Sequence, residues 1–235
     1  MTNPSALRAT ATRAGVVQGM RDAIPFAPGT LIFGASVGAA AAHKGLPALV
    51  AIAQSALVYA GASQMVTLEL WSNQWRWAAL AAGAGATAAI NARFLLMSAG
   101  FRRWIGGLNP ALVYSTLFFL TDPSFAVGAR RFAAGERDYG VTLGVAMVLY
   151  PAWVMATAAG FYGGALIARP ERYGLDLIMP LVFVCMLTSF LRSTRRIAPY
   201  TAATLAALGA WLWLPGGWYI VAGALAGALT AAAAP

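Results

Sequence analysis

Long apolar segments dominate this chain and limit its possible folds more than any other feature. About eight of them approach the roughly 20 apolar residues that a helix needs to cross a bilayer. They lie at about 23–42, 47–71, 77–101, 108–128, 141–168, 174–191, 197–214 and 217–234. Because lipid offers no partner to free backbone groups and the segments lack the alternation of barrel strands, each is predicted to be helical. The sequence therefore predicts an all-α, polytopic membrane helix bundle, with residues 1–235 as one integral membrane domain.

The distribution of basic residues predicts how this bundle is oriented. The formal charge is +9, but Lys and Arg lie in short connections between apolar segments, so no nucleic-acid partner is expected. With eight spans and residues 1–20 as a cytoplasmic N-terminal segment, the inner side collects most of these charges, and both termini are predicted in the cytoplasm. The alternative is seven spans with 108–128 re-entrant, because Pro123 should bend or break a helix there.

Small residues recur at four-residue spacing in three segments, at Gly34 and Gly38, Gly160 and Gly164, and Gly223 and Gly227. The first interpretation is close packing of helix backbones. The second is that Gly34 and Gly38 leave room for a substrate to touch the backbone. Pro25 and Gly38 also recur as Pro151 and Gly164 at a constant offset. This indicates either a duplicated half, as in many transporters, or chance recurrence in a chain rich in Ala and Gly.

A guanidinium lies near the middle of the third apolar segment. A mid-span Arg costs about 2.5–3.5 kcal/mol in insertion experiments, so Arg93 should find a partner inside the bundle or extend to the interface. It is interpreted either as a structural residue tied to backbone or headgroups, or as the partner of a substrate carboxylate or of Asp122. Asn91 is expected to bond a neighbouring helix or loosened backbone.

Polar groups also interrupt the second segment. Gly61 should loosen the helix, and Ser63 and Gln64 add hydrogen-bonding groups, as in a discontinuous helix at a transport site. The alternative is that Gln64 only bonds a neighbouring helix.

The fourth segment carries Thr121 and Asp122 immediately before Pro123. An intramembrane carboxylate can carry protons or a cation, or it can serve as a counter-ion, here to Arg93. Both interpretations of Asp122 are kept.

Sequence signatures of catalysis are missing. The chain has one His and one Cys, and it lacks the zinc-protease, hydrolase and phosphate-loop patterns. We therefore expect no enzymatic activity, no metal site and no cofactor.

Four stretches of the sequence resemble a known family when they are taken in order: IPFAPGTLIFGASVG from residue 24, AGASQM from 60, INARFLLMSAG from 90 and FFLTDPSFA from 118. They resemble the AzlC family, the larger subunit of bacterial branched-chain amino acid exporters. The resemblance covers about residues 15 to 160, and the C-terminal third resembles the family by hydropathy. Family members commonly carry an acidic residue directly after the Asp that corresponds to Asp122. This chain has Pro123 there, so it lacks that second carboxylate.

The resemblance implies a multi-pass protein of the bacterial inner membrane that exports branched-chain and other hydrophobic amino acids. It also implies a small AzlD-type membrane subunit as partner. Carried onto this chain, it points to Gly61, Ser63, Gln64, Asn91, Arg93, Thr121 and Asp122. Secondary active export is the leading prediction. The alternatives are a non-transporting membrane scaffold and the permease component of an ATP-driven system.

Overall fold

The computed structural model describes residues 10–71, 77–105, 109–164, 197–214 and 218–233, and these residues are almost entirely helical. The helices are α1 (Arg13–Ala23), α2 (Ala27–His43), α3 (Ala48–Val58), α4 (Gly61–Glu69), α5 (Trp77–Ile105), α6 (Pro110–Phe118), α7 (Asp122–Ala133), α8 (Gly140–Gly164), α9 (Ile197–Trp213) and α10 (Trp218–Ala233). The predicted all-α class is confirmed. The predicted segment 174–191 lies outside the described residues.

The first helical run begins earlier than hydropathy predicts. Helices α1 and α2 are joined by a 3-10 turn at Ile24–Phe26, where Pro25 lies, and form one run over Arg13–His43. The predicted start at residue 23 is therefore wrong by about three helical turns. The error arises because Arg13, Arg21 and Asp22 lower the hydropathy of a helix that is nevertheless packed in the bundle.

Two helical runs in the described part of the chain are long and apolar enough to cross a membrane. They are the 31-residue run of α1 and α2 and the 25-residue helix α8. Large apolar side chains lie on the outer surface of the bundle. Leu49, Leu95 and Leu96 are among the most exposed, at 80%, 73% and 77%. Exposed apolar surface on this scale fits contact with lipid.

Helices α2 and α8 are in backbone contact through glycines. A methyl group at Gly38 would overlap the Thr157 carbonyl oxygen, and one at Gly160 would overlap the Ala35 carbonyl oxygen. This supports the packing interpretation of the Gly-x-x-x-Gly spacing. The substrate interpretation of Gly38 does not fit this conformation, because the backbone of α8 fills the space beside it.

The α1–α2 run and α8 are parallel. Gly19 of α1 meets Val141, near the start of α8, whereas Gly34 of α2 meets Trp153 and Ala156, farther along it. The two segments that share the proline and glycine pattern therefore lie side by side and point the same way.

The last two described helices form an antiparallel pair. Gly223 of α10 packs against Ala207 of α9, and Gly227 packs against Ala203. Val221 of α10 lies near Gly85 of α5 and joins this pair to the rest of the bundle.

Polar side chains join the two ends of α1 to α7 and to the α7–α8 connection. Arg131 binds Asp22 at 2.7 Å and Glu136 at 2.8 Å. Asp138 accepts hydrogen bonds from the Thr12 side chain, the Thr12 amide and the Gly140 amide. The Asp138 contacts fix the N-terminal ends of α1 and α8 beside each other, and the pair of Arg131 and Asp22 joins the C-terminal end of α1 to α7.

The Asp138 contacts predict a pH-dependent contribution to stability. Burial raises the pKa of Asp138, but hydrogen bonds from Thr12 and Gly140 outweigh burial and leave the pKa below its usual value. The contribution is therefore complete above the unfolded pKa of about 3.9 and is lost as the pH falls through the folded pKa. We expect Asp138→Asn to lose about 1 kcal/mol at neutral pH. Thermal unfolding in detergent should show that the difference from wild type shrinks as the pH falls below the unfolded pKa of about 3.9, and a difference of unchanged size would contradict this.

Candidate functional site

Two of the predicted spans are interrupted. Helix α3 ends at Val58, Tyr59 takes a left-handed conformation with φ 46°, and α4 begins at Gly61. Helix α6 ends at Phe118, and α7 begins at Asp122. Both predicted breaks are therefore present. Pro123 is the second residue of α7 rather than the break itself, because proline is tolerated in the first turn of a helix.

Tyr150, near the middle of α8, lies between the two interruptions. Its hydroxyl donates a hydrogen bond of 2.9 Å to the carbonyl of Ala56, in the last turn of α3. Its ring packs edge-on against Tyr59 at 5.1 Å and Phe119 at 5.0 Å between centroids. The carbonyls of a last helical turn lack partners within the helix, so Tyr150 satisfies one of them and brings the two interruptions together.

Arg93 and Asp122 form the predicted ion pair. Arg93 Nη2 lies 3.1 Å from Asp122 Oδ2, and the two side chains are 29% and 31% exposed. Asp122 lies in the first turn of α7, where the helix dipole favours a negative charge. Thr121 and Ser124 form a capping box at the same helix end. The pair is thus half-buried, and both side chains keep some exposed surface.

Some polar atoms on α5 next to this pair have no partner among the described residues. They are Arg93 Nε and Asn91 Oδ1, which are both buried. The Arg93 guanidinium also lies over the Phe94 ring, 5.0 Å from its centroid. The site therefore keeps hydrogen-bonding capacity that the ion pair does not use.

Gln64 is 1% exposed and is satisfied on one side only. Its Nε2 donates to Ser55 Oγ of α3 at 3.1 Å, which fits the interpretation of a hydrogen bond to a neighbouring helix. Its Oε1 has no partner in the described part of the chain. Ser63 Oγ donates to the Ala60 carbonyl at 2.9 Å, inside the interruption.

A hydrogen bond joins α4 to α5 at the level of the site. Thr67 and Thr87 are 3.1 Å apart. Asn91 lies one turn after Thr87, and Ser63 lies one turn before Thr67. Thr67 and Thr87 are therefore neighbours across the contact between α4 and α5.

The predicted site residues fall into three groups. Those around the two interruptions are Gly61, Ser63, Gln64, Asn91, Arg93, Thr121 and Asp122. Gly34 borders the same region through Trp153, whose Cε3 would lie 3.4 Å from a methyl at Gly34. Gly38 lies apart from the site, in the contact between α2 and α8.

Aromatic residues of the site were missed by sequence reasoning. They are Tyr59, Tyr150 and Trp153, and Tyr59 forms an edge-on pair with each of the other two. The Tyr-Pro dipeptide at 150–151, inside an apolar segment, is a signal that could have identified Tyr150. Tyr59 offers no such signal, because a left-handed conformation is usually announced by Gly, Asn or Asp.

The Tyr150 hydroxyl is expected to stabilise the interrupted span. Tyr150→Phe keeps the ring contacts but leaves the Ala56 carbonyl without its donor, which should cost about 1–3 kcal/mol. The matched control is Tyr162→Phe on the same helix, where the side chain is 61% exposed. Thermal unfolding in detergent should show a lower midpoint for Tyr150→Phe only. Equal midpoints for the two variants would show that the hydroxyl does not hold α3.

The chemistry that the site offers a ligand is limited. No group of three His, Cys, Asp or Glu side chains comes together in the residues that the structure describes. What is present is one cation, one carboxylate, the ends of short helices, and aromatic and small apolar side chains. These groups are better suited to bind a ligand with a small polar group on an apolar side chain than to bind a metal ion.

Comparison with known proteins agrees with this architecture. The family model for AzlC proteins matches residues 25–167, which is more than half of the chain. Inner membrane protein YgaZ of Escherichia coli (strain K12) is 26% identical over 222 residues, covering 92% of this chain and 89% of the relative. No solved structure matches the chain. The apolar helices and this relative identify an inner membrane protein with a role related to membrane transport, and the chain belongs to the AzlC family.

Proposed function

We propose that this protein is the larger subunit of an inner-membrane exporter of branched-chain and other hydrophobic amino acids. The observation that carries the proposal is the meeting of two interrupted spans at Tyr150, beside the half-buried pair of Arg93 and Asp122. Interrupted helices near the middle of a bundle are a recurrent way to build a transport site, because they bring helix ends and free backbone groups to a substrate.

The side chains around the interruptions match the parts of an amino acid. A carboxylate can be held by a guanidinium or by a helix N-terminus. An ammonium can be held by Asp122 or by the free Oε1 of Gln64. The aromatic and small residues of α2, α4 and α8 would give an aliphatic side chain an apolar surface. Among the residues that the structure describes, the site has one cation and one carboxylate, already paired with each other, for a charged substrate side chain, which favours hydrophobic amino acids.

The parallel arrangement of α1–α2 and α8 supports the topology of the proposal. Two spans of one chain run through the membrane in the same direction only when an odd number of other spans lies between them in the sequence. Helices α3–α4, α5 and α6–α7 supply three crossings if 108–128 spans the membrane, and two if it is re-entrant. Of the two predicted counts, eight spans therefore fit the parallel arrangement and seven do not. We propose both termini in the cytoplasm, with the parallel pair derived from a duplicated segment.

The energy source and the partner are the remaining parts of the proposal. We propose secondary active export together with a small AzlD-type membrane subunit, because the sequence contains no phosphate loop for ATP. The exposed apolar surface of the bundle leaves room for a second membrane subunit. A non-transporting scaffold is the main alternative, in which the polar groups only hold helices together.

Leucine counterflow in proteoliposomes tests this function. Liposomes containing the purified chain, with and without the small subunit, are loaded with unlabelled leucine and diluted into labelled leucine. We expect transient accumulation of label that requires both subunits and that lysine inside the liposomes does not support. Absence of accumulation with both subunits present would favour the scaffold.

A further inference from the structure

We propose that α3–α4 and α6–α7 are re-entrant hairpins that enter the membrane from opposite sides and meet at Tyr150, and that each hairpin closes the substrate site from one side. We name α3–α4 the outer hairpin and α6–α7 the inner hairpin. The inference rests on the proposed function for the identity of the site, whereas the direction of each helix follows from its own contacts. Two of the eight predicted segments are then hairpins, which leaves six full crossings.

Helices α5 and α7 point the same way. Arg93, in the middle of α5, pairs with Asp122 in the first turn of α7. Near the other ends of the same two helices, Trp104 packs on Phe132, with 5.4 Å between ring centroids. The two contacts follow each other in the same order along both helices. Helices α5 and α7 are therefore parallel.

Both of these helices end on the side where α1 and α8 begin. Trp104 packs on Tyr139, directly before α8, with 5.3 Å between ring centroids. The Tyr139 amide in turn donates a hydrogen bond to the Thr10 carbonyl, just before α1. In the proposed orientation this is the cytoplasmic side. It also places Arg102 and Arg103, near the end of α5, on the side where Lys and Arg are favoured.

Helix α6 starts on this same side. Four residues separate the end of α5 at Ile105 from the start of α6 at Pro110. A connection of this length reaches at most about 18 Å, so it cannot cross a hydrocarbon core of about 30 Å. After the other end of α6, Phe119 packs on Tyr150 in the middle of α8. Helix α6 therefore runs from the cytoplasmic side to the middle of the bundle, and α7 returns.

Helix α4 runs from the middle of the bundle towards the outer side. Thr67 lies six residues after Gly61, and its hydroxyl is 3.1 Å from that of Thr87 on α5. Thr87 lies six residues before Arg93. Because α5 runs inward, this contact is about 9 Å on the outer side of Arg93. Helix α4 therefore leads outward from the interruption at Gly61.

The apolar neighbours of α4 support the same direction. Met65 and Leu68 lie in a core cluster whose members and neighbours on α2 begin at Phe33 and on α8 begin at Tyr150. These are the halves of α2 and α8 nearer the outer side. Helix α3 begins four residues after α2 ends at His43, so it starts on that side too. Helices α3 and α4 thus enter and leave on the outer side.

The lengths and bends of the four helices suit hairpins that reach halfway. They contain 9 to 12 residues each, or about 14–18 Å, which is half of a hydrocarbon core of about 30 Å. At the bends, Tyr59, Ala60 and Leu120 are 6%, 4% and 4% exposed. Irregular backbone at membrane depth is tolerated where protein surrounds it.

The inner hairpin is held by contacts that can break without disturbing α2 and α8. Those two helices touch through backbone atoms, whereas a methyl at Gly128 of α7 would first meet three side chains of α5 and α8. Near the end of α7, Arg131 binds Asp22 of α1 at 2.7 Å. Arg131 therefore ties the inner hairpin to α1 and keeps it closed in this conformation.

Labelling of single cysteines from each side of the membrane tests the hairpins. In a variant with Cys185 replaced by Ser, the discriminating changes are Glu69→Cys, at the end of α4, and Ala111→Cys, at the start of α6. The controls are His43→Cys, outside in both topologies, and Ala134→Cys, inside in both. All four positions are exposed. The measurement is reaction with a membrane-impermeant maleimide in intact cells with a permeabilised outer membrane and in inverted inner-membrane vesicles.

We expect Glu69→Cys to react with His43→Cys in cells, and Ala111→Cys to react with Ala134→Cys in inverted vesicles. Eight full crossings give the reverse for both discriminating positions. Reaction of either position from the reverse side would show that its hairpin crosses the membrane and would overturn the inference. This labelling measures no transport, so failure of leucine counterflow with the expected labelling would count against the proposed function alone.

Arg131→Gln tests the closing role of the inner hairpin, with Arg130→Gln as its matched control. Arg130 is an exposed neighbour on the same helix. The measurement is the rate at which the maleimide modifies Thr121→Cys, at the tip of the inner hairpin, from each side. We expect Arg131→Gln to raise the rate several-fold in inverted vesicles and not in cells, and Arg130→Gln to change neither rate. No increase with Arg131→Gln, an equal increase from both sides, or an equal increase with Arg130→Gln would contradict this role.

Discussion

Replacing Arg93 or Asp122 alone is expected to damage the protein more than replacing both. Each single change leaves the other charge half-buried without its partner, whereas the double change removes both charges together. Breaking a fully buried pair typically costs 3–5 kcal/mol. Because these side chains are 29% and 31% exposed, we expect about 1–3 kcal/mol for each single variant after allowance for solvent screening.

The measurement is membrane yield and leucine export for Arg93→Ala, Asp122→Ala and the double variant. The double variant should recover folded protein without recovering transport. Arg93→Lys keeps the charge but loses the planar fork of the guanidinium, so partial export is expected. If the losses in yield from the two single changes simply add in the double variant, the contact between Arg93 and Asp122 does not contribute to stability.

Gly160→Leu is expected to prevent α2 and α8 from packing. A side chain at this position would overlap the carbonyl oxygen and Cα of Ala35, which are backbone atoms and can move only if the helices separate. Overpacking of a well-packed contact typically costs 1–3 kcal/mol, and the rigidity of this one suggests about 3 kcal/mol or more. Membrane yield and the unfolding midpoint in detergent should both fall.

The matched control is Gly163→Leu on the same helix. A methyl at Gly163 would meet nothing within 4 Å, so the added side chain enters open space on the outside of the bundle. This variant should keep the yield and midpoint of the wild type. If Gly163→Leu and Gly160→Leu lose equal amounts, the loss at Gly160 does not come from contact with α2.

Hydropathy predicts the described helices except where contacts other than apolar burial stabilise a helix. Helix α1 was missed because its charges resemble a solvated tail, yet Gly19 lets its backbone lie against Val141 and Arg131 pairs with Asp22. A hydropathy pattern contains neither the close approach of two backbones nor a partner more than a hundred residues away. The break before Asp122 was predictable, because Pro123 cannot continue a helix from the preceding residues.

The charged part of the site was predictable for an energetic reason. Arg93 and Asp122 lie inside apolar segments, where an unpaired charge is costly, and their pairing satisfies both. The aromatic part was not predictable. Trp153 resembles any other aromatic residue in an apolar segment, and the sequence does not show that its ring packs against Gly61 of a different helix and against Tyr59.

The central claim is that the substrate binds at the two interrupted helices. The most direct test is whether a substrate protects a cysteine placed there from a thiol reagent. Thr121→Cys, in a variant in which the single Cys185 is replaced by Ser, puts a thiol beside the pair of Arg93 and Asp122. Its rate of modification by a small, water-soluble thiol reagent is measured in the assembled transporter with leucine or with lysine present. We expect leucine, but not lysine, to slow the reaction several-fold. Equal rates with leucine, lysine and no amino acid would contradict a substrate site at the two interrupted helices.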